Sequence, residues 1–208
     1  MKFLQGDLKS HFMTFTDLDG VLNWQELFGN QCPVELDVGC GRGLFLVNAG
    51  LANQDINYLG LELNYKEGRR AARRLKKQKM ANVRILGGDA NTTFDKFIAP
   101  ASVSAIHVYF PDPWWKRRHM KRRLFTDVFA AKIAMALRIG GLLHVWTDVQ
   151  EYFHVIGALM DRHEKFNSLP PLPEHAPTHD MDYRTSLERK KRKAGRKIYR
   201  GRWCRRVS

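Results

Sequence analysis

A short apolar segment that runs directly into a glycine-rich turn constrains this chain most. Residues 34–38 read VELDV, and Gly39-Cys40-Gly41-Arg42-Gly43 follows at once. The mostly apolar run predicts a short buried strand, and the glycines predict a tight turn whose backbone a ligand can approach. Residues 44–52 continue as a predicted helix. A strand, a glycine turn and a helix in this order are typical of doubly wound α/β folds, in which ligands bind outside the carboxyl ends of the strands.

The rest of the chain alternates between strand-like and helix-like segments. Gly, Asn, Asp or Pro residues bound each segment, as expected for turns. The alternation predicts a mostly parallel sheet that is covered by helices on both faces. The predicted strands are 57–63, 83–88, 104–110 and 142–147, with a final one at 197–203, and the predicted helices are 65–80, 122–137 and 149–163.

Length and proline content indicate one domain with an appended segment. The chain has 208 residues, which is within the usual range for a single core. Residues 1–31 remain unassigned, and residues 32–169 are predicted to form the core. Residues 170–177 hold four of the eight prolines and predict an extended connector. We expect residues 170–208, the connector and the basic C-terminal segment, to complete the sheet and the substrate site.

Positive charge is concentrated in three segments. The chain carries 35 Lys and Arg against 21 Asp and Glu, a net charge of +14. Residues 69–79 suit the solvated face of a helix. In residues 116–123 and 184–206, by contrast, aromatic residues lie beside or among the basic ones, as with Trp114, Trp115, Tyr199 and Trp203. Cations beside rings suit phosphates and bases, so nucleic acid is the expected partner.

Composition argues against several protein classes. No run approaches the roughly 18–20 apolar residues of a membrane span, and Asp7 interrupts any signal-peptide core. The three cysteines, Cys32, Cys40 and Cys204, are scattered and lack the paired spacing of a zinc or redox motif. We therefore expect a cytoplasmic protein with no membrane association and no metal.

Acidic residues end or follow four successive predicted strands. Glu62 stands about 20 residues beyond the glycine turn, where a carboxylate can accept hydrogen bonds from a ribose diol. Asp89 is placed to meet an adenine edge, and Asp37 and Asp112 complete the set. Each carboxylate alone could simply cap the following helix. Together they favour a cationic ligand, and S-adenosylmethionine fits.

Other nucleotide signatures are incomplete. A dinucleotide fingerprint needs glycine at position 44, where the chain has Leu44, and the Gly-Lys-Ser/Thr of a Walker loop is absent. These departures weaken the NAD and ATP interpretations.

The fourth of these strands leads into Phe110-Pro111-Asp112-Pro113-Trp114-Trp115, and Lys116-Arg117-Arg118-His119-Met120-Lys121-Arg122-Arg123 follows. Two prolines stiffen the backbone around Asp112. Here the sequence resembles the bacterial tRNA (guanine-N7-)-methyltransferase family, whose signature is F-P-D-P-W followed by K-x-R-H-x-K-R-R. The resemblance extends from about residue 36 to residue 199 and includes Leu36-Asp37-Val38-Gly39, Gly60-Leu61-Glu62, Gly88-Asp89-Ala90, Thr147-Asp148 and Thr185-x-x-Glu188-Arg189.

The resemblance implies a Rossmann-like, Class I S-adenosylmethionine-dependent methyltransferase with a seven-stranded sheet. It implies methyl transfer to N7 of a guanosine in tRNA, in the variable loop, by a monomer or a homodimer. It also implies a role for each of the following: Asp37, Gly39, Gly41, Glu62, Asp89 and Asp112 for the cofactor, Asp112 for catalysis, Lys116, Asp148, Thr185 and Glu188 for the substrate, and Arg118, His119, Lys121, Arg122 and Arg123 for the RNA.

Three positions depart from the family pattern. Asp37 stands where the family often has Glu, Trp115 replaces a smaller or polar residue, and Leu187 replaces Phe. These differences bear on contact geometry. They leave the expected activity unchanged.

The expected chemistry needs little from an acid or a base. Guanine N7 has a free lone pair, so attack on a sulfonium methyl requires no prior deprotonation. We expect Asp112 and Asp148 to orient the base through its N–H donors, and His119 to contact phosphate or pack. Two alternatives remain open, a non-catalytic RNA-binding module of the same fold and a methyltransferase acting on another RNA or on a protein.

Overall fold

The computed structural model describes residues 8–114, 117–173 and 182–207, apart from the side chains at 117, 120 and 121. The chain divides into two compact units, Met1–Ala99 and Pro100–Ser208. Both units are α/β, which confirms the predicted class. No described helix combines the length and the apolar character that crossing a membrane would require.

The first unit holds four parallel strands. They are β1 (Phe12–Thr14), β2 (Val34–Val38), β3 (Asn57–Glu62) and β4 (Val83–Gly87). β3 lies between β2 and β4, and β1 pairs with the other edge of β4. The helices are α1 (Trp24–Phe28), α2 (Leu44–Ala52), α3 (Tyr65–Lys77) and α4 (Ala90–Lys96), and a 3-10 helix covers Phe15–Asp17.

The core of the first unit follows from its strand pattern. Leu36, Leu59 and Ile85 on three neighbouring strands are fully buried. Nearly continuous apolar strands of this kind are expected in a parallel sheet with both faces covered. On α3, the small residues Ala71 and Ala72 are buried while most of the basic residues between 69 and 79 are not, which confirms the predicted amphipathic helix.

The second unit holds four strands with a mixed arrangement. They are β5 (Val103–Tyr109), β6 (Leu137–Thr147), β7 (Phe166–Leu169) and β8 (Tyr199–Arg205). β5 and β6 are parallel, and β8 is antiparallel to both β6 and β7. The helices are α5 (Asp127–Ala136), α6 (Gln150–Asp161) and α7 (Ser186–Lys193), and a 3-10 helix covers Arg117–Arg122.

The described chain thus has eight strands where seven were expected. The sequence did not reveal β1 or β7, because segments of three and four residues are too short to show periodicity. The helix predicted at 122–137 begins only at Asp127, because the Thr126 side chain accepts a hydrogen bond from the Phe129 amide and caps it there. The connector predicted at 170–177 has no regular structure at 170–173, and residues 174–177 lie outside the described residues.

Gly60 offers a test of the packing beneath the glycine turn. A Cβ at this position would lie 2.5 Å from Leu46 Cδ1, 2.8 Å from Cys40 Sγ and 2.9 Å from Ile85 Cδ1. We expect Gly60→Ala to lower the free energy of unfolding by about 1–3 kcal/mol, because overpacking a dense core forces its neighbours to move. Gly157→Ala in α6 is the matched control, since an added Cβ there meets nothing within 4 Å.

Denaturant unfolding of both variants checks this account of the packing. Gly157→Ala should stabilise the protein by about 0.5–1 kcal/mol, because alanine is the better helix former. Equal stability changes in the two variants would contradict the packing account.

Candidate functional site

The glycine turn after β2 has the backbone shape that its sequence predicted. Gly39, Gly41 and Gly43 have φ angles of 80°, 55° and 68°, which side-chain-bearing residues rarely adopt. The amides of Gly39 and Cys40 both donate to the Leu61 carbonyl, at 2.9 and 3.0 Å. The turn is therefore fixed to the end of β3.

The glycines of this turn serve different purposes. A Cβ on Gly43 would lie 3.0 Å from the Cβ of Ala71, so this residue permits close packing of α2 against α3. A Cβ on Gly39 or Gly41 would have nothing within 4 Å. Open space beside the backbone at these two positions suits a ligand that approaches the turn.

Glu62 at the end of β3 joins two segments of this edge. One carboxylate oxygen accepts from the Gly41 amide at 2.8 Å, and the other accepts from the Asn64 amide at 2.8 Å. Each carboxylate oxygen has two lone pairs, so both can accept a further hydrogen bond. The arrangement leaves Glu62 able to bind a diol while it holds the turn.

Asp37, which precedes the turn, is buried at 3% exposure. Burial, followed by the negative charge of Glu62, raises the pKa of its carboxyl to about 8. The Asp37 carboxyl is therefore mostly protonated at neutral pH. A cation placed beside the pair would favour its ionised form.

Asp89 follows β4 and caps α4. One of its oxygens accepts from the Thr92 amide at 2.8 Å and from the Thr92 hydroxyl at 3.0 Å. Next to it, a Cβ on Gly88 would lie 2.3 Å from the ring of Phe15, and that ring packs at 5.1 Å from the Phe97 ring. Phe15 lies in the N-terminal segment that the sequence left unassigned, and nothing in its pattern revealed this position.

The first unit thus brings five predicted residues together at the carboxyl ends of its strands: Asp37, Gly39, Gly41, Glu62 and Asp89. This edge of the sheet offers a ligand two carboxyl groups close enough to interact, a carboxylate that caps a helix, and an exposed turn backbone.

In the second unit, Asp112 lies in a loop that is fixed at both ends. The Phe110 amide donates to the Trp146 carbonyl at 2.7 Å, and Arg123 Nε donates to the Pro113 carbonyl at 2.7 Å. Phe110 and Trp114 have positive φ angles of 55° and 42°. Such conformations cost about 1–3 kcal/mol each and are common where a loop must present a group. Asp112 itself is exposed.

The basic segment after this loop folds back on it. Trp114 contacts the His119 ring at 5.7 Å and the Arg122 guanidinium at 5.2 Å, and Arg123 also lies over the Tyr152 ring at 5.4 Å. His119 and Arg123 therefore shape the loop, whereas Arg118 and Arg122 are exposed. Of the other predicted residues, Lys116 and Trp115 lie outside the described residues, as does the side chain of Lys121.

Asp148 follows β6 and borders an open cleft of about 750 Å³. Its carboxylate lies 2.7 Å from Lys191 Nζ on α7. The sequence predicted Asp148 but not its partner, because the basic run at 189–193 gives no sign of which lysine turns inward. The cleft is lined by Asp148, Val149, Gln150, Glu151, Gly195, Arg196, Lys197 and Tyr199.

Thr185 and Glu188 are brought together at the start of α7. The Thr185 hydroxyl accepts from the Glu188 amide at 2.9 Å and caps the helix. Glu188 is 5% exposed, and its oxygens accept from the Arg184 amide at 2.7 Å and from Arg192 Nε at 2.8 Å. Leu187, the departure from the family pattern, is 46% exposed between them.

Comparison with known proteins decides the family. The model of a family described as "Putative methyltransferase" matches residues 31–201. A tRNA (guanine-N(7)-)-methyltransferase of Rhodopirellula baltica is 41% identical over 93% of this chain and 74% of its own length. The chain belongs to the tRNA (guanine-N(7)-)-methyltransferase family. A further relative, from Syntrophotalea carbinolica, has the same name and is 30% identical over 80% of this chain and 72% of its own length.

Solved structures identify the fold of this family member. An S-adenosylmethionine-dependent O-methyltransferase of Thermotoga maritima matches 92% of this chain and 69% of its own, with a TM-score of 0.57 and 12% identity. An aminoglycoside resistance methyltransferase matches 87% and 91%, with a TM-score of 0.56 and 16% identity. These likenesses confirm the Rossmann-like methyltransferase fold, and at such low identity they say nothing about substrate.

The protonated Asp37 predicts a pH dependence of stability. Its carboxyl has a pKa of about 8 in the folded protein and an ordinary value of 3.8. Between these values the unfolded chain has released its proton and the folded chain has kept it. The Asp37 contribution to the free energy of unfolding therefore falls as pH rises from about 4 to 8, by at most about 1.4 kcal/mol per unit.

Denaturant unfolding of wild type and Asp37→Asn at pH 5, 6, 7 and 8 isolates this contribution. We expect the variant to gain at least about 1 kcal/mol relative to wild type across this range, because asparagine does not ionise. Asp55→Asn, at an exposed acid of the same unit, should follow wild type. Parallel profiles for wild type and Asp37→Asn would show that Asp37 is not held protonated.

Proposed function

We propose that this family member transfers the methyl group of S-adenosylmethionine to N7 of a guanosine in tRNA, in the variable loop. The observation that carries the proposal is the 41% identity to a tRNA (guanine-N(7)-)-methyltransferase across 93% of the chain. The carboxylate and glycine geometry of the first unit supports the cofactor, and the exposed acid and basic residues of the second support the substrate.

The residues of the first unit fit S-adenosylmethionine chemically. Open space beside the backbone of Gly39 and Gly41 leaves room for the cofactor, and Glu62 has acceptor capacity for both ribose hydroxyls. The Asp37 carboxyl becomes ionised when a cation lies beside it, so it suits the amino group of S-adenosylmethionine. Asp89, which caps α4 and follows Gly88 beside the Phe15 ring, is assigned to the adenine edge. When bound, the cofactor supplies an electrophilic methyl group on a sulfonium.

The role of Asp112 follows from what guanine needs. N7 attacks with its own lone pair, so the protein must position the base and need not remove a proton from N7. The methylated purine is cationic, and a carboxylate that accepts from its N–H donors stabilises that charge as it develops. The fixed loop around exposed Asp112 supports this role, and Asp112 is also assigned to the cofactor. Asp148 is assigned to the same base.

The residues assigned to the RNA fall into two groups, those that carry exposed charge and those that hold the loop in shape. Arg118 and Arg122 are exposed and suit phosphate contact, while His119 and Arg123 hold the loop in shape and complete the RNA-binding set. Lys116 and Lys121 join this set by family resemblance. The Glu188 amide donates to the Thr185 hydroxyl, so these two residues form a fixed pair at the start of α7. We assign this pair to binding of the guanosine.

We further propose that the protein acts in the cytoplasm, as a monomer or a homodimer. A non-catalytic RNA-binding module and an enzyme that methylates another RNA are the competing interpretations. They differ from this proposal in the methylated product, so one assay separates all three.

The test incubates unmodified tRNA transcripts, and ribosomal RNA in a parallel reaction, with labelled S-adenosylmethionine and locates the label by chemical cleavage at 7-methylguanosine. We expect label at a single guanosine of the variable loop. Asp112→Asn should lower kcat by about 100-fold, the scale expected when one preorganised electrostatic group is lost. Asp127→Asn is the matched control, because Asp127 forms an exposed ion pair with Arg162 that contributes little.

Each other outcome has a definite meaning. Label on adenosine or in another RNA would overturn the substrate, and tRNA binding without label would favour the non-catalytic module. A normal rate for Asp112→Asn would remove Asp112 from its role while leaving the activity in place.

A further inference from the structure

In the segment that precedes α7, the side chain of Arg184 contacts two strands of the second unit. Arg184 comes directly before Thr185, and its guanidinium lies 5.2 Å from the centre of the Trp146 ring. Its Nη1 donates to the Tyr109 hydroxyl at 3.3 Å. A planar guanidinium can stack on a ring and donate in its own plane at the same time, which a lysine cannot do.

The two aromatic partners belong to the strands that lead to the candidate acids. Tyr109 ends β5, three residues before Asp112, and Trp146 lies two residues before Asp148. The two residues pair across the strands, with ring centres 5.4 Å apart. Arg184 therefore connects the start of α7 to the same strand ends that carry Asp112 and Asp148.

The anchor continues into the pair assigned to guanosine. The Arg184 amide donates to Glu188 at 2.7 Å, and the Glu188 amide donates to the Thr185 hydroxyl at 2.9 Å. The main-chain amide of Arg184 thus holds the Glu188 carboxylate, while its side chain contacts Tyr109 on β5 and Trp146 on β6. The Tyr109 ring is held in turn, because its hydroxyl lies 2.9 Å from His107 Nδ1 and the His107 ring stacks on His144 at 5.0 Å.

From these contacts we infer that Arg184, stacked on Trp146, is a positioning residue that places Thr185 and Glu188 for the RNA substrate. The inference rests on the proposed function for its substrate. It assigns to Arg184 no contact with the cofactor or the reacting atoms. Loss of the stack should therefore weaken the use of tRNA and leave the use of S-adenosylmethionine unchanged.

The structure provides a closely matched control. Arg200 on β8 lies over the same Trp146 ring at 5.6 Å, but it is remote in sequence from the start of α7. Arg184→Gln and Arg200→Gln each remove one cation from this ring and one unit of net charge. Both variants share any general loss of attraction to RNA, so the difference between them reports the positioning effect.

The first experiment measures steady-state kinetics with tRNA and S-adenosylmethionine. Arg184→Gln should raise KM for tRNA by about tenfold, with kcat and KM for S-adenosylmethionine within about threefold of wild type, the scale expected for one desolvated cation–ring contact. Arg200→Gln should raise KM for tRNA by no more than about threefold, as expected for one contact with the RNA backbone.

Substitutions of the ring test the same contact from its other side. Trp146→Leu should raise KM for tRNA at least as much as Arg184→Gln, because the ring also carries Arg200, and Trp146→Phe, which keeps an aromatic face, should restore most of the affinity. The effect of the double variant Arg184→Gln/Trp146→Leu should be smaller than the sum of the two single effects, because both substitutions remove the contact between Arg184 and Trp146. Thermal unfolding identifies any variant that fails to fold, and the comparison of Arg184→Gln with Arg200→Gln then decides alone.

Hydrogen exchange tests the positioning without any need for activity. The Glu188 and Arg189 amides bond to Thr185, so Arg184→Gln should speed their exchange by about tenfold or more, and Arg200→Gln should leave it unchanged. Equal effects of the two arginine variants on exchange and on KM would overturn the inference. A wild type that fails to methylate tRNA would overturn the proposed function instead, and the exchange result would still decide the role of Arg184.

Discussion

The hydrogen bonds of Glu62 are the interaction on which the candidate cofactor site depends. A parallel sheet ends in backbone groups that its own ladder does not satisfy. Glu62 accepts from two of them, the amides of Gly41 and Asn64, and so fixes the glycine turn beside the end of β3. Because the turn lacks side chains at Gly39 and Gly41, this order is achieved without filling the space that a ligand needs.

The same carboxylate also sets the electrostatics of this edge. Burial, reinforced by this charge, raises the pKa of Asp37 to about 8 and keeps it mostly protonated at neutral pH. A cation bound beside Asp37 would favour the ionised form of its carboxyl and would then be attracted by that charge. In the second unit the charges are arranged differently, because Asp148 and Glu188 are paired with Lys191 and Arg192.

Much of this architecture could be predicted from sequence, since long buried strands and glycine turns leave strong local signals. Residues 34–38 and 44–52 became a strand and a helix with those bounds. The short strands β1 and β7 could not be predicted, because their existence depends on pairing with β4 and β8, far away in sequence. Likewise, the residues at strand ends could be named, but burial of Glu188 and the stack of Arg184 on Trp146 arise from contacts that no local pattern encodes.

Calorimetric titration of the protein with S-adenosylhomocysteine tests the central role of Glu62 most directly. Replacing this carboxylate with an amide in Glu62→Gln removes charge-assisted bonds both to the turn and to a ribose, so binding should weaken by about 30-fold or more. Glu26→Gln, at an exposed acid on α1, should bind as wild type does. Undiminished affinity in Glu62→Gln would contradict the account.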